Sequence, residues 1–237
     1  MIQFIYMISK YRFSFYMQKS QNGLPRSAFP KNIFTGGILM KVVGINGSPR
    51  KDGNTSFLIK TVFDELEKRG IETELIHIAG APVSGCRACR MCFKNKNKRC
   101  VIDNDIVNEC IEKMAAADGI LLGSPTYFTD VTAEMKALID RAGMVARANG
   151  ELFKYKVGGV VIAVRRGGAT HAFDTINHFL HYSQMFLVGA NYWNMAYGFE
   201  IGDVKTDQEG MLNMKVLGEN MAYLLKKLHQ SNGTSSL

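Results

Sequence analysis

From Met40 onward, apolar and polar residues alternate in a regular succession of strand-like and helix-like segments. Short apolar runs that end in a turn are typical of buried parallel strands, whereas apolar residues spaced three and four apart indicate amphipathic helices. The predicted strands are 40–46, 71–78, 120–124, 157–164 and 186–194. The predicted helices are 54–70, 105–119, 131–147, 170–185 and 209–230.

This alternation predicts an α/β fold in which a doubly wound parallel sheet carries helices on both faces. Ligands of such sheets bind at the carboxyl ends of the strands, close to the point where the strand order reverses. Three loops occupy those ends in the predicted sheet, namely 44–56, 123–130 and 164–172. These three loops are therefore the first candidates for a binding site.

The first loop reads GINGSPRKDGNTS and leads directly into a predicted helix. Its hydroxyl groups, its backbone N–H groups and the helix N-terminus together favour an anion such as phosphate. The spacing matches neither G-x-x-x-x-G-K-[ST] nor G-x-G-x-x-G, which argues against nucleotide hydrolysis and against the usual dinucleotide site. An ordinary turn with Asn54 as the helix cap is the alternative.

The second and third loops add an aromatic surface and two glycines. GSPTYFTD places Pro125, Tyr127 and Phe128 at a strand end, where they suit a flat conjugated ligand. VRRGGATHA supplies Gly167 and Gly168, which permit close backbone approach, next to two arginines. Simple packing and a solvated basic turn are the corresponding alternatives.

Four of the five cysteines lie within SGCRACRMCFKNKNKRCV, residues 84–101. Cys86, Cys89 and Cys92 follow at intervals of three and Cys100 comes later, a spacing that allows four thiolates to bind one [4Fe–4S] cluster. The basic residues between them suit an anionic cluster. Bare thiols and a zinc site stay open, although structural zinc more often uses two separated pairs. Cys110 falls on an apolar helix position and is predicted to be buried and inert.

Taken together, the three loops resemble those of the NADPH-dependent FMN reductase family of flavodoxin-like proteins, and the cysteine segment is similar to that of the iron–sulfur flavoproteins within it. The resemblance extends from Met40 to residue 228 and implies a five-stranded sheet of order 2-1-3-4-5, with the cysteine-rich insertion after strand two. It implies that FMN contacts the residues Ser48, Arg50, Asn54, Thr55 and Ser56 through its phosphate, Pro125, Thr126, Tyr127 and Phe128 through its ring, and Gly167 and Gly168 on the far side.

The same resemblance implies an FMN-dependent NAD(P)H oxidoreductase. NAD(P)H would deliver a hydride to FMN, and electrons would pass on to a [4Fe–4S] cluster or to an external acceptor such as a quinone, a flavin or a redox protein. A homodimer or homotetramer is also implied. The alternatives are a cluster-free NAD(P)H:quinone or flavin reductase, a non-enzymatic flavodoxin-like electron carrier and a zinc-stabilised interaction module.

Other polar residues are expected to have structural roles. His171, His178 and His181 share one predicted helix, and we expect them on its surface rather than at a metal. The charged residues Lys136, Asp140 and Arg141 follow the aromatic loop, and we expect them to anchor it.

The net charge of +8 is unevenly distributed, because residues 1–39 contain five basic residues and no acidic one. The rest of the chain lacks the sustained basic surface of a nucleic-acid-binding protein. No apolar run approaches the roughly 20 residues of a membrane span. We therefore expect a cytoplasmic protein without nucleic-acid or membrane partners. The predicted divisions are an N-terminal extension or start-site artefact (1–39), a flavodoxin-like domain (40–230) and a tail (231–237).

Removal of residues 1–39 is expected to leave bound flavin and melting temperature unchanged, because the strand and helix pattern begins only at Met40. Flavin absorbance after dialysis and a thermal unfolding curve measure both quantities. A loss of several degrees, or of flavin, would show instead that the extension packs against the domain.

Overall fold

The computed structural model describes residues 39–80 and 82–232. Apart from Leu39, the predicted N-terminal extension lies outside the described residues, and so does the tail after residue 232. The strands are β1 (Lys41–Asn46), β2 (Glu72–His77), β3 (Gly119–Pro125), β4 (Val157–Val164), β5 (Phe186–Leu187) and β6 (Met195–Tyr197). The helices are α1 (Asn54–Glu67), α2 (Met91–Asn95), α3 (Val107–Ala116), α4 (Ala133–Ala148), α5 (Ala169–Tyr182) and α6 (Gln208–Asn232), with a 3₁₀ turn at Asp203–Thr206.

The strands form one parallel sheet in the order β2-β1-β3-β4-β5, which confirms the predicted topology. β1 lies between β2 and β3, with Val42 opposite Thr73 on one side and Gly119 on the other. The strand order reverses beside β1 and β3. The loops that leave these two strands therefore meet at the carboxyl edge of the sheet, where a ligand is expected.

The last strand differs from its prediction. In place of one strand over 186–194, two short strands pair with β4, Phe186 opposite Val157 and Met195 opposite Ile162. The sequence between them contains Gly189 and Asn191, residue types that favour turns over extended pairing. The apolar run 186–194 therefore predicted correctly that this segment lies at an edge of the sheet. It did not predict that the segment forms two short strands instead of one.

Both faces of the sheet are buried. Neighbouring residues of one strand enter opposite cores: Val42 packs with α1 and α6, and Val43 packs with α3, α4 and α5. Leu121 and Leu122 divide in the same way on β3. Continuous apolar strands are what a parallel sheet covered on both sides requires. In the described part of the chain, no helix is long and apolar enough to cross a membrane.

Gly44 marks a close approach of β1 to α1. A Cβ atom added there would lie 2.5 Å from Cζ of Phe63 and 3.0 Å from Cγ2 of Ile59, both buried side chains. Only glycine fits this contact without displacing the helix.

Gly44→Ala should therefore lower the free energy of unfolding by roughly 1–3 kcal/mol, the usual effect of overpacking a core. Gly143→Ala, in α4, is the matched control, because its new Cβ would lie at an ordinary contact distance of 3.6 Å from Phe179. Alanine in a helix is favoured over glycine by about 1 kcal/mol, so the control should be neutral or stabilising. Urea unfolding compares the two, and equal stabilities would contradict the expectation.

Candidate functional site

The loop between β1 and α1 is folded by its own polar groups. The Gly47 N–H donates to the Gly123 carbonyl at 2.8 Å, which holds the loop against β3. The side chain of Asn46 accepts from the N–H of Ser48 at 3.0 Å and donates to the carbonyl of Lys51 at 3.2 Å. The backbone is therefore set in a tight turn before any ligand binds. Asn46 was not among the predicted site residues, although an asparagine at a strand end is a known turn signal.

Thr55 and Ser56 lie in the first turn of α1 and are each only 1% exposed. Their hydroxyl oxygens have no hydrogen-bond partner among the residues that the structure describes. Burying a hydroxyl without a partner costs free energy, so such groups usually belong to a binding site. The helix N-terminus beside them also favours negative charge. This turn fits the phosphate of FMN.

Asn54 and Arg50 have partners within the chain. The Asn54 amide donates to the Glu200 carbonyl at 2.9 Å and accepts from the Gly202 N–H at 2.8 Å. Arg50 reaches the Phe199 carbonyl at 3.5 Å. Both side chains therefore tie the first loop to the segment 199–202. No local sequence pattern indicates this contact, since its two halves lie almost 150 residues apart.

The aromatic loop, residues 125–130, is a tight turn after β3. Tyr127 and Asp130 exchange backbone hydrogen bonds of 2.7 and 3.0 Å. Phe128 and Thr129 adopt φ values of 46° and 69°, a region that costs energy for side chains of their size. The ring of Phe128 is fully exposed, and the buried hydroxyl of Thr126 has no partner within residues 39–80 and 82–232. The loop thus offers aromatic surface and one hydroxyl to a flat polar-edged ligand.

Gly168 joins the third loop to the aromatic loop. Its φ of 83° suits glycine, and a Cβ there would lie 2.9 Å from Cγ2 of Thr129. Asp130 accepts a 2.7 Å hydrogen bond from Thr175 on α5 and lies 3.6 Å from His171. The two loops are consequently fixed to each other. Gly167 is different, because no described atom would meet an added Cβ within 4 Å.

Thr132 connects the first loop with the aromatic loop. Its hydroxyl donates to the Gly47 carbonyl at 2.8 Å and accepts from the Met135 N–H at 3.3 Å, so it caps α4. Its own N–H donates to the hydroxyl of Ser124 at 3.1 Å. The predicted phosphate and ring residues are therefore brought to one edge of the sheet.

The four clustered cysteines line one small cavity together with Arg141 and Met144 of α4; they are Cys86, Cys89, Cys92 and Cys100. Cys86 and Cys89 are exposed, Cys100 is half-buried and Cys92 is buried. Ala88 and Arg90 adopt left-handed conformations, with φ of 51° and 57°. Alternating right- and left-handed residues turn backbone N–H groups towards a common anion, an arrangement found at phosphate and iron–sulfur sites.

The cysteines surround the cavity without meeting at one point. Within the two described ranges, no three His, Cys, Asp or Glu side chains are placed to hold a single metal ion. In a [4Fe–4S] cluster each cysteine binds a different iron, so its ligands surround a larger group. Burial raises the pKa of Cys92; backbone hydrogen bonds partly offset this, and Cys100 and Cys86 add to the rise. A cation beside this thiol would favour its thiolate form.

Arg141 holds the cysteine segment in place. Its guanidinium donates to Asp105 at 2.5 Å, to the Ser84 carbonyl at 3.1 Å and to the Ile102 carbonyl at 2.6 Å. The side chains of Arg141 and Asp105 are 0% and 2% exposed. The expectation that Arg141 anchors the aromatic loop is therefore wrong. Its position on the apolar face of α4, between the buried Leu138 and Val145, was the sequence signal for a buried role.

Arg141 also lies beside a cysteine thiol. Burial by itself lowers the pKa of Arg141, but Asp105 and then Cys100 outweigh that effect and raise it. The side chain of Asn108 supports the same region, since it accepts from the Cys100 N–H at 2.7 Å and donates to the Cys100 carbonyl at 2.9 Å. Neither Arg141 nor Asn108 was predicted to contribute to this site.

Cys110 and the three histidines lie where the sequence predicts. Cys110 is fully buried in α3, and burial raises its pKa to about 12, so its thiol stays protonated at neutral pH. His171, His178 and His181 lie exposed on α5. Lys136 and Asp140, which were expected to anchor the aromatic loop, instead pair with each other at 2.6 Å on the surface of α4.

The sheet order and the three loops define a flavodoxin-like flavoprotein. The chain belongs to the NADPH-dependent FMN reductase family, whose sequence model matches residues 40–200. It is 39% identical over 194 residues to an iron–sulfur flavoprotein of Methanocaldococcus jannaschii, which covers 79% of this chain and 98% of that protein. It is 39% identical over 154 residues to an iron–sulfur flavoprotein of Methanosarcina thermophila, covering 64% of this chain and 78% of that protein.

A solved structure with the same fold is RosB, determined with 8-demethyl-8-formylriboflavin-5'-phosphate bound. It superposes with a TM-score of 0.60 at 18% identity over 81% of each chain. At this identity the likeness concerns the fold alone. The family and the closer relatives support FMN as the cofactor and a flavin-dependent oxidoreductase as the class of enzyme.

Thr55→Val combined with Ser56→Ala should weaken FMN binding without weakening the fold. Each hydrogen bond to a charged group contributes about 1.5–3 kcal/mol, so the dissociation constant should rise by about two orders of magnitude or more. Because the lost hydroxyls are buried without partners in the described chain, the apoprotein should unfold at the same temperature or higher. Fluorescence titration of apoprotein with FMN measures the affinity.

Riboflavin, which lacks the phosphate, should bind the variant and the wild type equally. Thr61→Val serves as the matched control in the same helix, since its hydroxyl donates to the Phe57 carbonyl at 2.9 Å. An equal loss of FMN and riboflavin affinity would contradict a phosphate role for this turn.

Proposed function

We propose that this protein is an FMN-dependent NAD(P)H oxidoreductase of the iron–sulfur flavoprotein type, with a [4Fe–4S] cluster as second redox centre. One observation carries the proposal beyond its family: four cysteines line a single cavity in a chain that also has the flavin loops. The cluster-free reductase is the main competing function, and the test below separates the two.

The flavin would be held at the carboxyl edge of the sheet. Thr55 and Ser56 supply buried hydroxyls at the start of α1, and Ser48 adds a buried hydroxyl in the preceding turn. Thr126 and the aromatic side chains of Tyr127 and Phe128 would contact the ring. Bound FMN would supply the hydride acceptor for NAD(P)H and a means of releasing electrons singly. The chain's own contribution is to position the ring and leave one side open to the co-substrate.

The cluster would be held by Cys86, Cys89, Cys92 and Cys100, and it would supply a one-electron carrier. Six basic residues lie in the same segment, which lowers the free-energy cost of placing an anionic cluster there; they are Arg87, Arg90, Lys94, Lys96, Lys98 and Arg99. The left-handed backbone at Ala88 and Arg90 supports the same interpretation.

NAD(P)H carries phosphate groups, and the third loop offers cations for them. Arg166 is exposed at the end of β4, while the Arg165 guanidinium stacks over the Phe199 ring at 4.2 Å. We propose Arg166 as a contact for the dinucleotide, since its side chain is directed to solvent beside the flavin loops.

Association into a homodimer or homotetramer is also proposed. Five large apolar side chains along residues 192–201 are about half exposed; they are Tyr192, Trp193, Tyr197, Phe199 and Ile201. Exposed apolar patches of this kind favour contact with another protein surface. A cytoplasmic location, an unidentified electron acceptor and the absence of nucleic-acid and membrane partners stay predictions.

Cys89→Ser should abolish the cluster and leave FMN bound, because the cysteine segment and the flavin loops are separate parts of the chain. Protein purified without oxygen and reconstituted with iron and sulfide should contain about four iron atoms per chain in the wild type and few in the variant. Reduction of bound flavin by NAD(P)H should persist in both. Cys110→Ala is the matched control, since this buried thiol does not line the cavity.

Wild-type protein that contains FMN but takes up no iron would support the cluster-free reductase instead. Flavin that NADH and NADPH both fail to reduce would support the electron carrier. Zinc in place of iron in the purified protein would support the interaction module.

A further inference from the structure

Arg141 is a buried charged group that the proposed chemistry leaves unused. It is 1% exposed and lies on the wall of the cavity that the four cysteines line. A buried guanidinium is expected to satisfy each of its N–H groups, because an orphan donor without water costs free energy. The groups that its N–H donors face therefore indicate what Arg141 binds.

Two of its three nitrogens donate hydrogen bonds within the chain. Nη1 donates to Asp105 and to the Ser84 carbonyl, and Nη2 donates to the Ile102 carbonyl. The third nitrogen, Nε, is buried and has no hydrogen-bond partner in the part of the chain that the structure describes. The carbonyl that Nη1 binds belongs to Ser84, two residues before Cys86, and the carbonyl that Nη2 binds belongs to Ile102, two residues after Cys100. The guanidinium is thus fixed from both sides, while its Nε–H has no partner among the described residues.

We propose that Arg141 positions and tunes the cysteine centre, with its Nε–H donating to the sulfur of Cys100 when the proposed cluster is bound. Hydrogen bonds to cluster sulfurs and nearby positive charge stabilise the reduced, more negative state and so raise the reduction potential. Arg141 and Cys100 line the same cavity. This inference rests on the proposed cluster.

Arg141 is suited to this task because its other contacts prevent it from turning away. Asp105 balances its charge, and two backbone carbonyls fix the plane of the guanidinium. Lysine would keep the positive charge but has no planar fork and no Nε–H donor at the same position. Arg141→Lys therefore removes the Nε–H hydrogen bond and keeps the positive charge, so that it measures the effect of the hydrogen bond alone.

The test uses full-length protein reconstituted with iron and sulfide, and compares the cluster's midpoint potential in the wild type with that of Arg141→Lys. The potential is read from the paramagnetic signal of the reduced cluster in a redox titration. In the variant it should be more negative by at least about 59 mV, a tenfold change in a one-electron equilibrium. FMN content and melting temperature, measured on the same samples, show whether the variant is folded.

Two further variants complete the comparison. Arg141→Met with Asp105→Asn removes both buried charges together, so it replaces Arg141→Lys if a lone buried lysine prevents folding; its potential should fall at least as far. Arg147→Gln is the matched control, because Arg147 is exposed on the same helix and lies over the Tyr182 ring at 5.5 Å. It should leave the potential unchanged.

The proposal is overturned if folded Arg141 variants have the wild-type potential, or if Arg147→Gln shifts it equally. Variants that keep FMN but lose the cluster altogether would overturn it too, since Arg141 would then be only a structural clamp. Wild-type protein that takes up no iron would overturn the cluster itself and this inference with it. A wild type with iron and unshifted variants would overturn the role of Arg141 alone.

Discussion

The ion pair between Arg141 and Asp105 determines where the cysteine segment lies. Both side chains are excluded from water, so each charge is tolerable only in the presence of the other, and loss of one partner typically costs about 3–5 kcal/mol. The same guanidinium binds the carbonyls of Ser84 and Ile102, which closes the segment from both ends. Asn108 completes the arrangement from α3. A loop with several residues in left-handed conformations is thereby held in one shape.

The helix that carries Arg141 also begins at the flavin loops. Thr132 caps α4 and bonds the first loop through the Gly47 carbonyl. Arg141 follows nine residues later, about 13 Å along the helix at 1.5 Å per residue. One rigid element thus sets the position of both the loops that would bind the flavin and the cavity that the cysteines line. A change in packing along α4 would therefore alter the positions of both the flavin loops and the cysteine cavity.

Much of this arrangement could be predicted from the sequence, because it depends on local patterns. The apolar run 157–164 coincides with β4, and the three loops at strand ends lie where parallel strands must place them. The partners of Asn54 and Arg141 could not be predicted, since they depend on residues far along the chain. A charged residue on an apolar helix face indicates burial but not the group that it binds. The short helix α2 was also missed, because its five residues are too few to show a periodicity.

The interrupted strand beside β4 has a consequence for how the chain behaves among copies of itself. A long edge strand offers its free N–H and C=O groups to any extended segment and so invites aggregation. Here β4 is covered by a two-residue strand and a three-residue strand, with a loop between them. An incoming strand finds no continuous row of backbone groups on that side. In the folded chain this edge therefore gives another strand few backbone groups to pair with.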